Sequence, residues 1–240
     1  YDPRLAAFEE LIPELLKAFD TQVKPADTLY AWLAGPIAVL RNWNYQVDTA
    51  SIATTLAVEW GQRLLPSIMR AGPQDGKPLD MVIKTRAYIS GMPQREMLQA
   101  LYLTLQDLQQ RYGKWQLAWG TINRFQRISP AIDLQFDDNK TSFPVAFASG
   151  TWGMLPSYNS RVFPGTRNRY GIHGKSFICA VEFGEKVRAR ALLAGGQSGD
   201  PASPHFNDQV EAYSKGQFRE VLFYKEDVLR NAERTYKPGK

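Results

Sequence analysis

The spacing of apolar residues changes near Trp115, and this change limits the folds available to the chain. Before Trp115, apolar residues recur at three- and four-residue steps, which predicts helices that each bury one face. The first of these stripes contains Leu5, Phe8, Ile12, Leu15, Leu16 and Phe19. After Trp115, short apolar or alternating runs predict strands. We therefore expect an α+β fold, with a helical segment over residues 1–114 and a strand-rich segment over residues 115–240.

Prolines, glycines and capping residues predict where the helices begin and end. Pro13 predicts a break or kink near Leu11, because a proline ring clashes with the preceding helical turn. The pair Gly35-Pro36 interrupts a second apolar segment, which runs from residue 28 to residue 43. We expect both positions to divide the helical pattern.

Two later helices carry capping signals. Asp48 or Thr49 is expected to cap a helix with apolar residues at four-residue spacing, and Pro66 and Gly72-Pro73 are expected to end it. The following helix has Pro93 at a position suited to its first turn and Gly113 at a position suited to its C-terminal cap. Both stripes are expected to pack as core.

The second half of the chain contains a predicted hairpin. Residues 176–183 indicate a buried strand, and residues 187–193 alternate as a strand with one wet face does. The single cysteine, Cys179, lies in the first strand and is expected to be a buried small hydrophobe rather than a nucleophile. A short strand is also predicted over 143–149, and a last strand over 220–224 is expected to precede a short helix from residue 225 to about residue 234.

Two segments mix aromatic residues with arginines. Residues 158–161 read Tyr-Asn-Ser-Arg, and residues 164–170 contain two arginines and a tyrosine. Such segments either line a polar cleft or form a solvated loop in which arginines stack on rings. The sequence leaves both interpretations open.

Composition excludes several classes of function. The net charge is +5, but the lysines and arginines are scattered, whereas a nucleic-acid surface needs a positive stripe. No apolar run reaches the ~18 residues of a membrane span. The two histidines, His173 and His205, have no second histidine or cysteine at ligand spacing, so no metal site is expected. No cofactor is expected either.

Residues 195–209 form the most unusual segment of the chain. They contain three glycines and two prolines, so they predict a shaped loop rather than a helix or a strand. Ser198, His205 and Asp208 can be drawn as a Ser/His/Asp triad, although triad members are set by fold geometry and not by short spacing. The alternative is that the polar side chains of the loop bond the local backbone and hold its shape.

This loop resembles the C-terminal signature of the penicillin acylase family, whose members are N-terminal-nucleophile amidohydrolases that include acyl-homoserine-lactone acylases. The family pattern is roughly Gly-Gly-Gln-Ser-Gly-x-Pro-x-Ser-Pro-His-aromatic-x-Asp-Gln, and every fixed position is met between Gly195 and Gln209. Trp119, Gly120 and Arg124 resemble the family's Trp-Gly-x-x-x-Arg element. The resemblance covers most of the chain.

The resemblance implies that an N-terminal serine, freed by autocleavage of a precursor, hydrolyses an acyl amide with its own α-amino group as base. The substrate would be a small acyl amide, such as an acylated β-lactam or an N-acyl-homoserine lactone. The resemblance also implies an αββα sandwich within one larger catalytic domain and a periplasmic or secreted location. The expected partners are the α subunit and the remainder of the β subunit of the same precursor.

The chain begins with Tyr1, and we interpret it as the C-terminal part of the β subunit, inactive alone and without catalytic residues of its own. The residues expected to organise loops or line a cleft are Trp119, Arg124, Gln197, Ser198, His205 and Asp208. One alternative is a binding or structural module that keeps the scaffold without the chemistry. Another is a free-standing hydrolase that uses Ser198 and His205.

Overall fold

The structure is a computed structural model that describes residues 2–72, 80–91, 93–128 and 135–237 of the 240-residue chain. It divides into two compact units, residues 1–174 and residues 175–240. Helices precede strands and the two are mixed, so the predicted α+β class is confirmed. The long helices end at residue 112 and the first strand begins at residue 123, whereas the boundary between the compact units lies at residue 174.

The helices of the first unit bury the stripes that the sequence predicts. Phe8, Ile12 and Leu15 are fully buried, as are Leu56 and Trp60. Burial of such side chains contributes about 2 kcal/mol each and gives this unit its core. The helices are α1 (Ala6–Gln22), α2 (Thr28–Arg41), α3 (Ile52–Arg70), α4 (Met81–Ser90), α5 (Gln94–Tyr112) and α6 (Trp119–Ile122).

The helices are not broken at their prolines as predicted, although α3 does end at Arg70, just before the predicted Gly72. Helix α1 continues through Pro13, α2 through Pro36 and α3 through Pro66. Each proline removes one backbone donor, but buried apolar residues lie before and after it in all three helices, and this packing holds the helix together.

The caps are confirmed at one helix and corrected at another. Gly113 follows α5 in the left-handed conformation with φ of 75°, as a C-terminal glycine cap requires, and Pro93 directly precedes this helix. The N-cap of α3 is Ser51, whose Oγ accepts the Thr54 N–H at 3.0 Å. Asp48 instead accepts the Ala50 N–H at 2.6 Å, which closes the turn ahead of the helix.

A four-stranded sheet completes the first unit. Its strands are β1 (Asn123–Phe125), β2 (Phe143–Pro144), β3 (Tyr158–Val162) and β4 (Arg169–Gly174), in the order β2-β1-β4-β3. Strands β1 and β4 are parallel, and the other pairs are antiparallel. The strand predicted over 143–149 ends at Pro144. Beyond it, the side-chain amide of Asn123 donates to the carbonyls of Val145 and Phe147 in place of the hydrogen bonds of a neighbouring strand.

The second unit contains the predicted hairpin. Strands β5 (Phe177–Glu182) and β6 (Arg188–Leu193) are antiparallel, with Phe177 opposite Leu193. Strand β7 (Arg219–Val221) joins the other edge of β6, and this sheet is accompanied by the short helices α7 (Val210–Ser214) and α8 (Lys225–Arg230). The last strand and the last helix are therefore both shorter than predicted.

The expectation that β5 is buried is wrong for this chain. Phe177 is 57% exposed and Val181 is 45% exposed, and Cys179 between them is exposed as well. Helix α7 packs against β6, whose Ala191 and Leu192 are buried, whereas β5 is mostly exposed. Strand β5 therefore has an apolar sequence but is not buried, although such a sequence normally predicts burial.

Candidate functional site

The loop at residues 195–209 is held by its own backbone. The Gln209 N–H donates to the Gly195 carbonyl at 2.8 Å and closes the base of the loop. Within the loop, the Ser198 N–H donates to the His205 carbonyl at 3.0 Å. Gly196 lies so close to this second bond that a Cβ there would stand 2.0 Å from the His205 carbonyl oxygen. Only a residue without a side chain fits this crossing.

The polar side chains of the loop bond neighbouring backbone groups. Ser198 Oγ accepts the Asp200 N–H at 3.0 Å, and Asp200 Oδ1 accepts the Ala202 N–H at 2.9 Å. Ser203 Oγ accepts the His205 N–H at 3.1 Å. These successive two-residue turns fix the path of a segment that has no regular structure. They support the interpretation that these side chains shape the loop.

The Ser/His/Asp triad that the sequence allows is not assembled. His205 Nδ1 lies 2.9 Å from Asp208 Oδ2, so two of the three triad residues are within hydrogen-bonding distance of each other. However, Ser198 Oγ makes no hydrogen bond to the His205 ring, and both residues lie in the part of the chain that the structure describes. The His205 side chain is 69% exposed, and Gln197 is exposed as well. The geometry therefore lacks an activated serine.

Trp119 and Arg124 occupy structural positions in the first unit. The buried indole of Trp119 donates to the Ala146 carbonyl at 3.0 Å. The Arg124 guanidinium donates to the Gly120 carbonyl at 2.9 Å and to the Ser142 carbonyl at 2.5 Å, so it fastens β1 to the segment before β2. The roles of all six candidate residues remain predictions.

A cavity of about 350 Å³ opens in the first unit. Residues 158–161 of β3 form one wall, which agrees with the cleft interpretation of this segment. A register shift between Asn159 and Ser160 distorts β3 where it meets the cavity, and such bulges re-aim side chains. The remaining lining residues are Val58, Gln62, Leu65, Trp119, Ala148, Ser149, Thr151, Arg169, Ile172 and His173.

A buried cluster of charges lies behind this wall. Glu59 Oε1 lies 2.6 Å from Arg169 Nη1, and Glu59 Oε2 lies 2.5 Å from Arg111 Nη2. Burial by itself raises the pKa of Glu59, but the two guanidinium groups outweigh it and hold the pKa below its ordinary value. Arg169 also donates to the Ser160 carbonyl at 2.5 Å, so the cluster anchors the bulged part of β3.

Sequence reasoning missed this cluster. A usable signal was present, because Glu59 is the only acidic residue in α3 and directly precedes the buried Trp60. A lone carboxylate within an apolar helix requires a cationic partner. The identity of that partner could not be read, since Arg169 lies 110 positions away.

Within the described residues, the chain contains no group of three or more His, Cys, Asp or Glu side chains that could hold a metal ion. None of the helices in that part of the chain is long and apolar enough to cross a membrane.

Comparison with known proteins identifies the family. The family model described as penicillin amidase matches residues 1–230 of this chain. The chain belongs to the penicillin amidase family. The acylase resemblance of the loop signature and of the Trp-Gly-x-x-x-Arg element is thereby confirmed at the level of the family.

One relative of this penicillin amidase family chain is the acyl-homoserine lactone acylase PvdQ of Pseudomonas savastanoi pv. phaseolicola (strain 1448A / Race 6). The two are 40% identical over 58 residues, which are 24% of this chain. The matched segment makes up 7% of the length of the relative. The chain thus matches only a small part of a much longer protein.

Proposed function

We propose that this chain is part of an amidohydrolase that cleaves an acyl amide. The observation that carries the proposal is the match of the penicillin amidase family model to residues 1–230. The relative named as an acyl-homoserine lactone acylase supports the same reaction class. The released products would be a carboxylic acid and an amine, formed when water cleaves the amide C–N bond.

The catalytic serine is proposed to lie in another part of the precursor. Ser198 is engaged with the backbone of its own loop, and the described residues contain no serine hydrogen-bonded to a histidine ring. In this proposal the 240 residues supply scaffold, and the acid–base chemistry belongs to an N-terminal serine and its α-amino group elsewhere. The chain alone is then inactive.

The exposed strands fit a larger αββα sandwich. Phe177, Cys179 and Val181 alternate along β5 and share one face of the sheet, and this face is exposed. A sheet face of this kind normally packs on another layer. We propose that the remainder of the β subunit or the α subunit covers it, in a periplasmic or secreted enzyme. The proposed substrate is an acylated β-lactam or an N-acyl-homoserine lactone.

The experiment that tests this function uses the whole precursor gene. The protein is expressed at full length, and mass spectrometry identifies the N-terminus of each mature subunit. Hydrolysis of 4-nitroanilides of acetic, phenylacetic and decanoic acids is then followed by release of 4-nitroaniline. We expect an N-terminal serine on the β subunit and turnover of at least one anilide.

The matched control is a precursor in which that serine is replaced by alanine. It should be neither processed nor active, because one hydroxyl serves both reactions. A precursor without such a serine, or a correctly processed protein that hydrolyses no acyl amide, would overturn the proposal. Either result would favour the alternative of a binding or structural module on the same scaffold.

A further inference from the structure

The cavity of the first unit is lined by positive charge without acidic residues. Its lining includes Arg161 and Arg169 but no aspartate or glutamate. Arg169 is neutralised by Glu59 behind the wall, whereas Arg161 takes part in no ion pair in the part of the chain that the structure describes. The Arg161 guanidinium lies 4.6 Å from the centroid of the Phe163 ring, which orients it without neutralising it. The cavity therefore favours an anion.

Three further polar side chains at the cavity have unused hydrogen-bonding groups. Gln62, Asn159 and His173 line it, and none of their side chains is hydrogen-bonded within the described ranges. Asn159 and His173 lie directly opposite each other on β3 and β4. Carboxamide and imidazole groups donate to anionic oxygens, so these side chains are available to a ligand beside Arg161.

Part of the cavity lining is apolar. Val58 and Leu65 of α3, the Trp119 ring and Ile172 of β4 contribute to it. Small-molecule sites typically combine such apolar walls with a few polar groups in volumes from ~300 Å³ upward. The cavity of about 350 Å³ fits a ligand with a compact hydrocarbon body.

We propose that this cavity binds a small organic carboxylate. The carboxylate pairs with the Arg161 guanidinium and accepts hydrogen bonds from Asn159 and His173. The hydrocarbon body of the ligand contacts Val58 and Ile172. A single unpaired guanidinium matches a monoanion, and the apolar wall selects an organic acid over an inorganic anion. The proposal does not depend on the amidase activity.

The test is a titration of the 240-residue chain with cyclohexanecarboxylate, followed by ¹H–¹⁵N NMR at constant ionic strength and at a protein concentration below the onset of self-association. We expect saturable shifts of the Arg161 and His173 amide signals and of the Trp119 indole signal. Cyclohexanecarboxamide has the same shape without the charge and should bind about tenfold more weakly. Cyclohexylmethylammonium and inorganic phosphate should leave these signals unchanged at the same concentrations.

Two variants test the assigned contacts. Arg161→Gln should weaken binding of cyclohexanecarboxylate about tenfold. Arg167→Gln removes an equal charge from an exposed side chain outside the cavity lining and should bind as the parent chain does. Asn159→Asp places a carboxylate in the cavity and should abolish binding, because it repels the carboxylate of the ligand. This second variant tests the proposal even if Arg161→Gln does not fold.

Several results would overturn the proposal. These are the absence of shifts at the cavity residues, equal binding of the acid and its amide, equal binding of phosphate, or equal losses in Arg161→Gln and Arg167→Gln. Shifts of the same signals with protein concentration alone would indicate that a carboxylate side chain of a second copy fills the cavity, and would also overturn it.

Discussion

Arg169 on β4 and Glu59 on α3 form a buried ion pair across 110 positions of sequence, with Arg169 Nη1 2.6 Å from Glu59 Oε1. Arg111 on α5 contacts the second carboxylate oxygen at 2.5 Å and also pairs with Asp107 at 2.6 Å. One carboxylate thus joins two helices to a strand. The consequences of this connection can be measured directly.

Removal of the Glu59 charge should destabilise the protein strongly. Glu59→Gln leaves two buried guanidinium groups without their counter-charge, and we expect the free energy of unfolding to fall by about 3 kcal/mol. Urea denaturation measures the loss. Asp20→Asn is the matched control, because Asp20 pairs with Arg41 at 2.7 Å on the surface and should contribute much less. Equal losses in the two variants would contradict the assignment of Glu59 as a central anchor.

The same carboxylate should make stability depend on pH. The pKa of Glu59 lies below its ordinary value of 4.5, since Arg169 and Arg111 outweigh the effect of burial. A group whose pKa is depressed by folding stabilises the protein above the unfolded-state pKa and loses that contribution as the pH falls through the folded-state pKa. The difference in unfolding free energy between the parent and Glu59→Gln should be constant near neutral pH and narrow below about pH 4.5. A difference that does not change on acidification would refute this.

The crossing point of the loop at 195–209 should tolerate no side chain. An alanine Cβ at position 196 would lie 2.0 Å from the His205 carbonyl oxygen and 2.6 Å from Asp208 Oδ1. We expect Gly196→Ala to lower the unfolding free energy by about 2 kcal/mol or more and to expose the loop to limited proteolysis. Gly199→Ala, where a Cβ meets nothing within 4 Å, should behave as the parent does. Equal proteolysis of both variants would show that the crossing is not a constraint.

The isolated chain should not hydrolyse esters through its loop. Ser198 Oγ accepts the Asp200 N–H and makes no hydrogen bond to the His205 ring, so no base activates it. With 4-nitrophenyl acetate, we expect the parent chain, Ser198→Ala and His205→Ala to give the same background rate. Turnover by the parent that disappears in Ser198→Ala would instead establish a free-standing hydrolase.

Local patterns in the sequence predicted the presence of the helices and strands better than the residues at which they begin and end. Gly113 identified the end of α5, because a left-handed cap is a property of one residue and its neighbours. Pro13 and Pro66 misled, because packing on both sides of a proline overrides its local cost. The N-cap moved from Asp48 to Ser51, since several adjacent residues were chemically suited to that role.

The candidate sites were also predictable only where their contacts are local in sequence. Local hydrogen bonds within the loop at 195–209 followed from its composition. For residues 158–161 the sequence left a cleft and a solvated loop open, and the structure places them in the wall of a cavity. The pairing of Glu59 with Arg169 could not be predicted, because nothing in one chain links two residues so far apart. The exposure of β5 could not be predicted either, since an apolar run indicates what a strand needs and not whether its cover is present.

The position of β5 bears on how this chain behaves during production. Strand β5 lies at the edge of its three-stranded sheet, and Phe177–Glu182 is apolar apart from one acidic residue and contains no proline. Edges of this kind recruit strands from other chains and start aggregation. We expect the 240 residues expressed alone to self-associate as the protein concentration rises, and co-expression with the other parts of the proposed precursor to suppress that association.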